Sequence, residues 1–557
     1  MSAPSYDRGS TAIPLLDQTI GQALADAART RPDAEALVSV HQGVRLTWAE
    51  LLQRSKGLAS GLLELGLEPG DRVGVWAPNR AEWTLVQFAT ALVGMIQVNV
   101  NPAYRLSEVE YALNKAGVKV LVCPEQFKTS RYADMIETLA PELATASRGD
   151  LHARRLPDLR AAIQIGGTPR PGWVGFDAVT SAPIDEARLA TIAAGLAPGD
   201  AINIQFTSGT TGSPKGATLS HRNILNNGYF VGLGMGLIEG DRLCIPVPLY
   251  HCFGMVMGNL ACLTHGATMV YPSEGFEPLA VLKTVQAERC TALHGVPTMF
   301  IAELGEPTFD SFDLSSLRTG LMAGSPCPVE VMRQVRERMN MRDVGIAYGM
   351  TETSPVSMQT ACDDPVERRI STVGRVQPHV EVKIVGLDGQ TTPRGVTGEF
   401  CTRGYSVMLG YWDDAERTAE AIDAEGYMHT GDLAVMDEAG YGAIVGRIKD
   451  MVIRGGENVY PREVEEYLYT HPKIADVQVV GVPDARYGEE ICAWVRIKPG
   501  ERLTPEEVVA YCRDQIAHYK VPRYVRFVDE FPLTVTGKVQ KYLIRQAMIE
   551  ELGLADA

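Results

Sequence analysis

The stretch Thr207-Ser208-Gly209-Thr210-Thr211-Gly212-Ser213-Pro214-Lys215-Gly216 is the feature around which the chain is organised. It carries five hydroxyl groups, three glycines and one lysine. Glycines let backbone N–H groups approach an anion closely, while hydroxyls and a lysine add hydrogen-bond donors and positive charge. The composition therefore predicts a loop that holds a polyphosphate. A flexible surface loop has the same composition, and this stretch alone does not decide between the two.

The residues on either side of this loop supply its structural context. The apolar-rich run Ala201–Phe206 predicts a strand, and Ser220 is suited to cap a helix that starts near His221. We therefore expect a strand, the loop and a helix in direct succession, which is a common setting for phosphate binding. The stretch is not a Walker loop, because no Gly-Lys-Ser/Thr follows the first glycine at the required spacing.

Length and composition restrict the class of protein. A chain of 557 residues predicts two or more domains. The net charge of −16 disfavours nucleic acid as a partner, since nucleic-acid binding needs a basic face. The ten cysteines show no CxxC spacing, which predicts free thiols in a reducing compartment.

The sequence shows no targeting or membrane signal. Residues 1–14 lack both a basic segment and a long apolar run, so we expect no secretory or transit peptide. No run reaches the roughly 18 consecutive apolar residues of a membrane span, so no transmembrane segment is predicted. We expect a cytoplasmic protein, and the sequence leaves a homodimer open.

Alternating strand and helix signals predict an α/β fold. The segments 71–76, 80–95 and 96–100 predict strand, helix and strand, which indicates βαβ units and a largely parallel sheet covered by helices on both faces. Residues 142–175 are irregular, and we expect them to form a surface excursion. Residues 373–445 contain short strand signals and glycine-rich turns, which predict a β-rich lobe attached to this core.

A further unit is predicted after Gly446. Pro461 suits the first position of a helix, and Thr504-Pro505-Glu506-Glu507 is a capping box. The predicted organisation is a large N-terminal domain, residues 1–446, made of βαβ layers and the β-rich lobe. A small, mobile α+β C-terminal domain follows over residues 447–557, with a hinge near Lys449.

Five further stretches carry residues with useful chemistry, although each also has an ordinary structural explanation. We predict a ligand-binding strand end at Tyr348–Glu352 and a carboxylate on a hairpin at Tyr427–Asp432. A charged domain boundary is predicted at Gly446–Asp450. Two turns follow, one rich in glycine at Gly455–Asn458 and one that ends in a lysine at Pro532–Lys538.

Together, in this order and spacing, these stretches resemble the adenylate-forming superfamily of acyl-CoA synthetases, luciferases and peptide-synthetase adenylation domains. The resemblance extends from about Leu16 to the end of the chain. Similarity to the medium-chain acyl-CoA synthetase group is carried by Gly212–His221, Pro248–Cys252, Ala323–Pro326, Val407–Trp412 and Ile453–Pro461.

The resemblance implies a set of site residues. The residues that would bind ATP and AMP are Thr207, Ser208, Gly209, Thr210, Thr211, Gly212, Lys215, Gly324, Ser325, Tyr348, Gly349, Asp432 and Arg447. The catalytic residues would be Lys538, Thr351, Glu352 and His251, with Glu352 also binding Mg²⁺. In this resemblance Tyr348 stacks on adenine, Asp432 and Arg447 hold the ribose, and Lys449 is the hinge. The CoA-binding residues would be Gly455, Gly456 and Glu457.

The resemblance also implies the reaction. A fatty acid and ATP would give acyl-AMP and pyrophosphate, and CoA would then give acyl-CoA and AMP. The acyl pocket would be lined by His251, Phe253, Met255, Val296 and Met299. Met255 stands where long-chain relatives have tryptophan, which favours a medium-chain acid.

Four alternatives are weighed against this interpretation. The stretch Pro248–Met255 contains no carboxylate that could pair with an ammonium group, which disfavours an amino-acid substrate. An aryl or phenylpropanoid acid-CoA ligase, and an acyl-AMP ligase that loads a carrier protein, stay open as alternatives. A nucleotide-binding protein without catalysis is disfavoured because Lys538, Glu352 and Asp432 are all present.

Overall fold

The computed structural model describes residues 3–207, 214–455, 457–484, 486–513, 515–534 and 537–554. The strands are β1 Tyr6–Arg8, β2 Glu35–Ser39, β3 Val44–Thr47, β4 Arg72–Val75, β5 Ile96–Asn99, β6 Val118–Pro124, β7 Ala161–Ile165, β8 Val174–Gly175, β9 Ala201–Thr207, β10 Lys215–Ser220, β11 Arg242–Cys244, β12 Thr268–Tyr271, β13 Ala292–Gly295, β14 Thr319–Ala323, β15 Asp343–Gly349, β16 Val356–Gln359, β17 Arg375–Val376, β18 Val380–Val385, β19 Gly398–Gly404, β20 Gly410–Tyr411, β21 Met428–Met436, β22 Gly442–Arg447, β23 Val452–Arg454, β24 Glu457–Val459, β25 Ile474–Asp484, β26 Gly488–Ile497 and β27 Tyr524–Phe527.

Eighteen helices of the described residues pack between and beside these strands. The helices are α1 Ile20–Thr30, α2 Trp48–Glu64, α3 Ala81–Leu92, α4 Leu106–Ala116, α5 Tyr132–Leu139, α6 Phe176–Thr180, α7 Glu186–Ala194, α8 His221–Gly234, α9 Cys252–Gly254, α10 Ala261–His265, α11 Pro278–Glu288, α12 Pro297–Leu304, α13 Val329–Arg338, α14 Val366–Ser371, α15 Ala415–Ala421, α16 Pro461–Tyr469, α17 Pro505–Cys512 and α18 Lys541–Leu552. A wider π-helical segment, Met255–Leu260, joins α9 to α10.

Two large sheets, each mainly parallel, form the centre of the molecule. One has the order β20-β10-β9-β5-β4-β6-β7-β8, and the other β17-β16-β15-β14-β13-β11-β12-β2-β3. Val73 of β4, Leu37 of β2 and Phe88 of α3 belong to one cluster of buried side chains. Helices therefore lie between the two sheets, as well as outside them, and the α/β class with βαβ layers is confirmed.

The context predicted for the glycine loop is wrong in one respect. The residues after the loop form strand β10, which pairs antiparallel with β9, with Lys215 opposite Thr207. Helix α8 begins only after this strand, and the Ser220 side chain accepts a hydrogen bond from the N–H of Asn223 as its cap. The alternating polar residues of β10 hid the strand, since three of the four residues Lys215–Thr218 are polar or glycine.

Residues 142–175 are also more ordered than expected. Strands β7 and β8 extend the first large sheet in parallel with β6, and all five residues of β7 are buried. The many charged and glycine residues around them belong to the connections. The segment is therefore part of the sheet and only its connections lie at the surface.

A third sheet forms the predicted β-rich lobe. Its order is β1-β18-β19-β21-β22, and all of its pairings are antiparallel. We call β1–β22 with their helices the large unit. Among the residues that the structure describes, no helix combines the length and the apolar character needed to cross a membrane.

The fourth sheet is built from the last part of the chain. Its order is β24-β23-β26-β25, with β27 added in parallel to β26. Helices α16 and α18 pack against β25, and Thr504 and Glu507 form the capping box of α17 with Pro505 at its first position. We call β23–β27 with α16–α18 the small unit. The boundary after Gly446 and the mobility of this unit stay predictions.

Candidate active site

The two ends of the glycine loop lie beside a buried carboxylate. Glu352 is 4% exposed, and its Oε1 accepts hydrogen bonds from Thr207 Oγ1 at 3.2 Å and from the Tyr411 hydroxyl at 2.8 Å. Lys215 Nζ lies 4.9 Å from the centre of the Tyr411 ring. Thr207 and Lys215 are thus placed together with Glu352. The other predicted loop residues lie outside the described residues: Ser208, Gly209, Thr210, Thr211 and Gly212.

Tyr411 was missed by the sequence reasoning, although the stretch Val407–Trp412 was among those that resemble the family. It lies on β20, which pairs with β10 through Ala217. Burial and the neighbouring Glu352 charge raise the pKa of the Tyr411 phenol, so the phenol stays a hydrogen-bond donor. Only the sheet pairing brings this side chain to the carboxylate.

A second group combines Tyr348, Asp432 and Arg447. The Tyr348 hydroxyl donates to Asp432 Oδ2 at 2.7 Å, and Arg447 Nε lies 2.8 Å from Asp432 Oδ1. Asp432 and Arg447 are direct partners across β21 and β22. The Tyr348 ring meets the Phe400 ring edge-on at 4.8 Å between centroids. The predicted adenine and ribose residues are therefore one connected group, at the junction of the second large sheet and the lobe.

Glycine is required at one turn beside this group. A Cβ on Gly349 would lie 1.7 Å from the carbonyl oxygen of Pro355, so no side chain fits there. Thr351 follows in a short 3₁₀ turn with Glu352 and is 8% exposed. Ser325 and Gly324 follow β14, the strand beside β15.

Lys538 reaches this site from the small unit. Its backbone N–H donates to Thr534 Oγ1 at 3.0 Å, and Gly537 turns the chain with φ of 78°. The Thr298 hydroxyl of α12 donates to the Gly537 carbonyl at 3.0 Å and ties the turn to the large unit. A Cβ on Gly324 would lie 3.4 Å from Lys538 Cε, so the lysine passes directly over this glycine.

The charge of Lys538 is tuned by its surroundings. Burial, and after it the nearby Arg447 guanidinium, lower its pKa, Asp432, Cys252 and Glu352 act in the opposite direction, and the resulting pKa is about 8. Lys538 thus stays mainly protonated at neutral pH. Its electrostatic neighbours are the carboxylates and the arginine of the two groups described above.

His251 is a neutral ring in this site. Burial and the Lys538 charge lower its pKa to about 3. His251 Nδ1 accepts a hydrogen bond from the N–H of Phe253 at 3.2 Å at the start of α9. Since a neutral imidazole protonates one nitrogen, its proton is on Nε2.

Four of the five predicted acyl-pocket residues, all except His251, are buried apolar side chains. Phe253 packs its ring 5.1 Å from the ring of His294. Met255 Sδ accepts hydrogen bonds from Asn99 Nδ2 at 3.1 Å and from Gln205 Nε2 at 3.2 Å, so buried amides hold it in place. Sequence reasoning missed these amides, because they lie on β5 and β9, far from Met255 in the chain. The predicted acyl-pocket side chains that are 5% exposed or less are those of Phe253, Met255, Val296 and Met299.

Of the predicted hinge and CoA residues that the structure describes, none shares a hydrogen bond or an ion pair with Lys538. Lys449 is exposed in a short turn after β22. Gly455 has a φ of 60°, and its N–H donates to the Tyr487 carbonyl at 2.8 Å within the fourth sheet. Glu457 is exposed on β24, and Gly456 lies outside the described residues.

Family models match most of this chain. The model described as AMP-binding enzyme matches residues 24–412, and the one described as AMP-binding enzyme C-terminal domain matches residues 463–538. The chain belongs to the AMP-binding enzyme family. The predicted adenylate-forming fold, with its large N-terminal and smaller C-terminal parts, is confirmed.

Individual relatives of this AMP-binding enzyme match it over nearly its whole length. A Bacillus subtilis protein named putative acyl-CoA synthetase YngI is 48% identical, covering 98% of this chain and 99% of its own. The human protein named medium-chain acyl-CoA ligase ACSF2, mitochondrial, is 47% identical over 99% of this chain and 91% of its own.

Among solved structures, the anthranilate CoA ligase AuaEII in complex with anthranoyl-AMP superposes with a TM-score of 0.85 at 25% identity, covering 98% of this chain and 99% of its own. The prediction of an AMP-forming acyl-CoA synthetase, a ligase, is confirmed at the level of this class.

Proposed function

We propose that this enzyme is an ATP-dependent, AMP-forming fatty acyl-CoA synthetase that acts on medium-chain acids. The observation that carries the proposal is the position of Lys538. A lysine from the small unit lies over Gly324, and its charge interacts with Glu352, Asp432 and Arg447 of the large unit. Such a convergence of cation and carboxylates suits a reaction in which two anions must meet.

In the first half-reaction, a carboxylate oxygen of the fatty acid attacks the α-phosphorus of ATP. The bond from that phosphorus to the bridging oxygen of the β-phosphate breaks, and pyrophosphate leaves. Protonated Lys538 would lie between the carboxylate and the α-phosphate and offset their repulsion. A fixed charge stabilises the developing negative charge more effectively in a site with little water than in solution. Thr207 and Lys215 would hold the departing phosphates.

The nucleoside would bind beside the second group of residues. Asp432 would accept hydrogen bonds from the ribose hydroxyls. Arg447 would hold the Asp432 carboxylate in place through their 2.8 Å ion pair. Tyr348 would support the adenine while its hydroxyl keeps Asp432 oriented at 2.7 Å. Gly349 lets the end of β15 lie directly against the Pro355 carbonyl, where no side chain fits.

Glu352 is suited to hold Mg²⁺. Magnesium prefers oxygen ligands, and this carboxylate lies beside the hydroxyl oxygens of Thr207 and Tyr411. Bound Mg²⁺ would supply charge compensation for the phosphates of ATP. Thr207 and Tyr411 orient Glu352 Oε1 and fix the direction of the carboxylate.

The acyl group would bind between α9 and α12. The Nε2–H of neutral His251 is available to donate a hydrogen bond to the substrate carboxylate, while the ring carries no charge that would trap the product. Phe253, Met255, Val296 and Met299 provide an apolar lining that suits an alkyl chain. The names of the ACSF2 relatives and methionine at position 255 both support a medium-chain acid.

In the second half-reaction, the sulfur of CoA attacks the acyl carbon of the adenylate. The bond from this carbon to the phosphate oxygen of AMP breaks, the thiol proton passes to solvent, and AMP leaves. Rotation of the small unit about Lys449 would replace the Lys538 turn by the turn at Gly455–Glu457. A cytoplasmic location and a homodimer stay predictions.

The decisive experiment measures AMP release with ATP, Mg²⁺ and CoA for straight-chain acids of graded length. We expect a maximum at medium chain length and little AMP from benzoate, coumarate or amino acids. Activity confined to aryl acids would contradict the assignment of the substrate. AMP release that proceeds only when a carrier protein replaces CoA would contradict the assignment of the acceptor.

A further inference from the structure

A cluster of metal-binding side chains lies in the β-rich lobe. Glu399 and Cys401 are two residues apart on β19, so both side chains point to the same face of the sheet. His429 on β21 is the direct cross-strand partner of Cys401. Three different ligand types are therefore brought to one point by two adjacent strands.

The ligand atoms are close enough to share one ion. Cys401 Sγ lies 3.4 Å from His429 Nδ1, and His429 Nδ1 lies 2.9 Å from Glu399 Oε2. Within the described ranges, this is the one group of three His, Cys, Asp or Glu residues whose ligand atoms all lie within 4.8 Å of one another. Cys401 is buried, while Glu399 and His429 are partly exposed, which leaves a route for an ion.

These separations can be compared with those around tetrahedral zinc. Bond lengths of about 2.3 Å to sulfur and about 2.1 Å to nitrogen or oxygen put the ligand atoms roughly 3.4–3.6 Å apart. The Cys401–His429 separation already has this value. Glu399 Oε2 needs to retreat from the ring nitrogen by about half an ångström, which a carboxylate achieves by a small side-chain rotation.

The other nitrogen of His429 has the partner that a metal-bound histidine needs. Its Nε2 lies 3.4 Å from Asp423 Oδ2, in the turn before β21. A histidine that binds metal through one nitrogen almost always donates its other N–H to a carboxylate or carbonyl. Lys383 Nζ lies 3.6 Å from the same Asp423 oxygen and balances the charge of that carboxylate.

We propose that Glu399, Cys401 and His429 form a Zn²⁺ site with one coordination position left for water. The mixture of thiolate, imidazole and carboxylate suits Zn²⁺ rather than Mg²⁺ or Ca²⁺, which prefer oxygen ligands alone. This site is separate from the one assigned to Mg²⁺ at Glu352, and it does not depend on the substrate proposed above.

The cluster is connected to the nucleotide site through the backbone. Glu399 Oε1 accepts a hydrogen bond from the Gly431 N–H at 3.0 Å, and Gly431 immediately precedes Asp432. An ion bound to Oε2 would fix Glu399 from its other side. The role of the zinc is therefore structural: it holds the strand that carries the ribose-binding carboxylate.

Coordination also changes the state of the thiol. Binding of Zn²⁺ replaces the thiol proton, which is released to solvent. The S–H bond breaks, the S–Zn bond forms, and no oxidant or reductant is needed.

The test uses full-length protein freed of metal by a chelator that is then removed. Titration with Co²⁺ is expected to give one bound ion per chain and a thiolate-to-cobalt charge-transfer band, which added Zn²⁺ abolishes. Cys401→Ser is expected to lose the band. Cys362→Ser, at a partly exposed cysteine elsewhere in the large unit, is the matched control and is expected to keep it.

Two further variants keep the proposal testable if Cys401→Ser folds poorly. By equilibrium dialysis with Zn²⁺ alone, His429→Gln is expected to lose stoichiometric binding. Asp423→Asn is expected to bind 10-fold to 100-fold more weakly, since it changes only the partner of the histidine. Absence of the cobalt band in the unmodified protein, an unchanged band in Cys401→Ser, or unchanged zinc affinity in His429→Gln would each overturn the proposal.

Discussion

Two glycine turns of the small unit share their local geometry but differ in their surroundings. Gly537 and Gly455 have φ values of 78° and 60°, so both lie in the left-handed region that glycine favours. The Gly537 carbonyl accepts a hydrogen bond from Thr298 of the large unit, and Lys538 beside it is placed over Gly324. Gly455 is exposed and hydrogen-bonds only to its own sheet, at the Tyr487 carbonyl, among the described backbone contacts.

The difference shows that one face of the small unit is docked and another is free. Of these two turns, the docked one places a cation near Glu352, Asp432 and His251, which suits adenylate formation as proposed above. Thiolation needs a different group near the same acyl carbon. We infer that the arrangement described here corresponds to the first half-reaction, and that the Gly455 turn serves the second after rotation of the small unit.

The largest effect is expected at the docked turn. Lys538→Ala should lower the rate of adenylate formation by about 100-fold or more, since it removes a fixed charge at the site where negative charge develops. Thiolation of supplied acyl-AMP should stay within a few-fold of normal. Pyrophosphate exchange measures the first reaction and acyl-CoA release the second.

The control for Lys538 is Lys498→Ala, at an exposed lysine of the same unit whose ammonium donates to the Pro472 carbonyl. It should leave both rates unchanged. Equal loss of both half-reactions in Lys538→Ala would contradict the assignment of the two turns to different steps.

The free turn is expected to show the reverse selectivity. Gly455→Leu should lower thiolation by roughly 10-fold to 100-fold, because a side chain at this turn would misplace the pantetheine. Pyrophosphate exchange should change little. Gly500→Leu is the matched control: Gly500 is also exposed, has a φ of 82°, and has open space around it. Leucine at position 500 would meet the same backbone strain at a place far along the chain from Gly455. An equal loss of thiolation in Gly500→Leu would therefore refute a specific role of Gly455.

The pH dependence should also separate the two half-reactions. The pKa of Lys538 is lowered to about 8, so the lysine is charged below this pH and loses its charge as the pH rises through it. We expect kcat/KM for adenylate formation to fall about tenfold per pH unit above roughly pH 8. Lys538→Arg, whatever its plateau rate, should lack this alkaline decline, because arginine stays charged.

Stopped assays of pyrophosphate exchange between pH 6 and 10 test this expectation. Thiolation of supplied acyl-AMP should not show the same decline, because we expect Lys538 to act only in adenylate formation. An identical alkaline decline in Lys538→Arg would assign the titrating group elsewhere.

The smallest effect is expected at the contact that docks the turn. Thr298→Ala removes the 3.0 Å hydrogen bond to the Gly537 carbonyl. Such a bond contributes about 1 kcal/mol, so adenylate formation should fall by about fivefold. Thiolation should be unchanged or slightly faster, because undocking is easier. Thr298→Ser keeps the hydroxyl and should restore pyrophosphate exchange, and loss of activity in the serine variant would show that the methyl group is what matters.

The sequence by itself determined the local elements and the family. Helix α8 begins where Ser220 predicts it, and α17 begins at Pro505 behind the Thr504 cap, because a cap depends on residues only three positions apart. The order of the chemical stretches identified an adenylate-forming enzyme, since each stretch is a short contiguous segment. The alternation of strands and helices likewise predicted the α/β class.

Only the tertiary structure decided which distant side chains meet. Strand β10 forms because β9 and β20 pair with it on either side, although its own sequence is a weak strand signal. The same pairing brings Tyr411 to Glu352, and cross-strand register brings His429 to Cys401. Docking of the small unit places Lys538 where burial lowers its pKa. These outcomes depend on pairing and burial between segments far apart in the chain, and local sequence patterns carry no information about either.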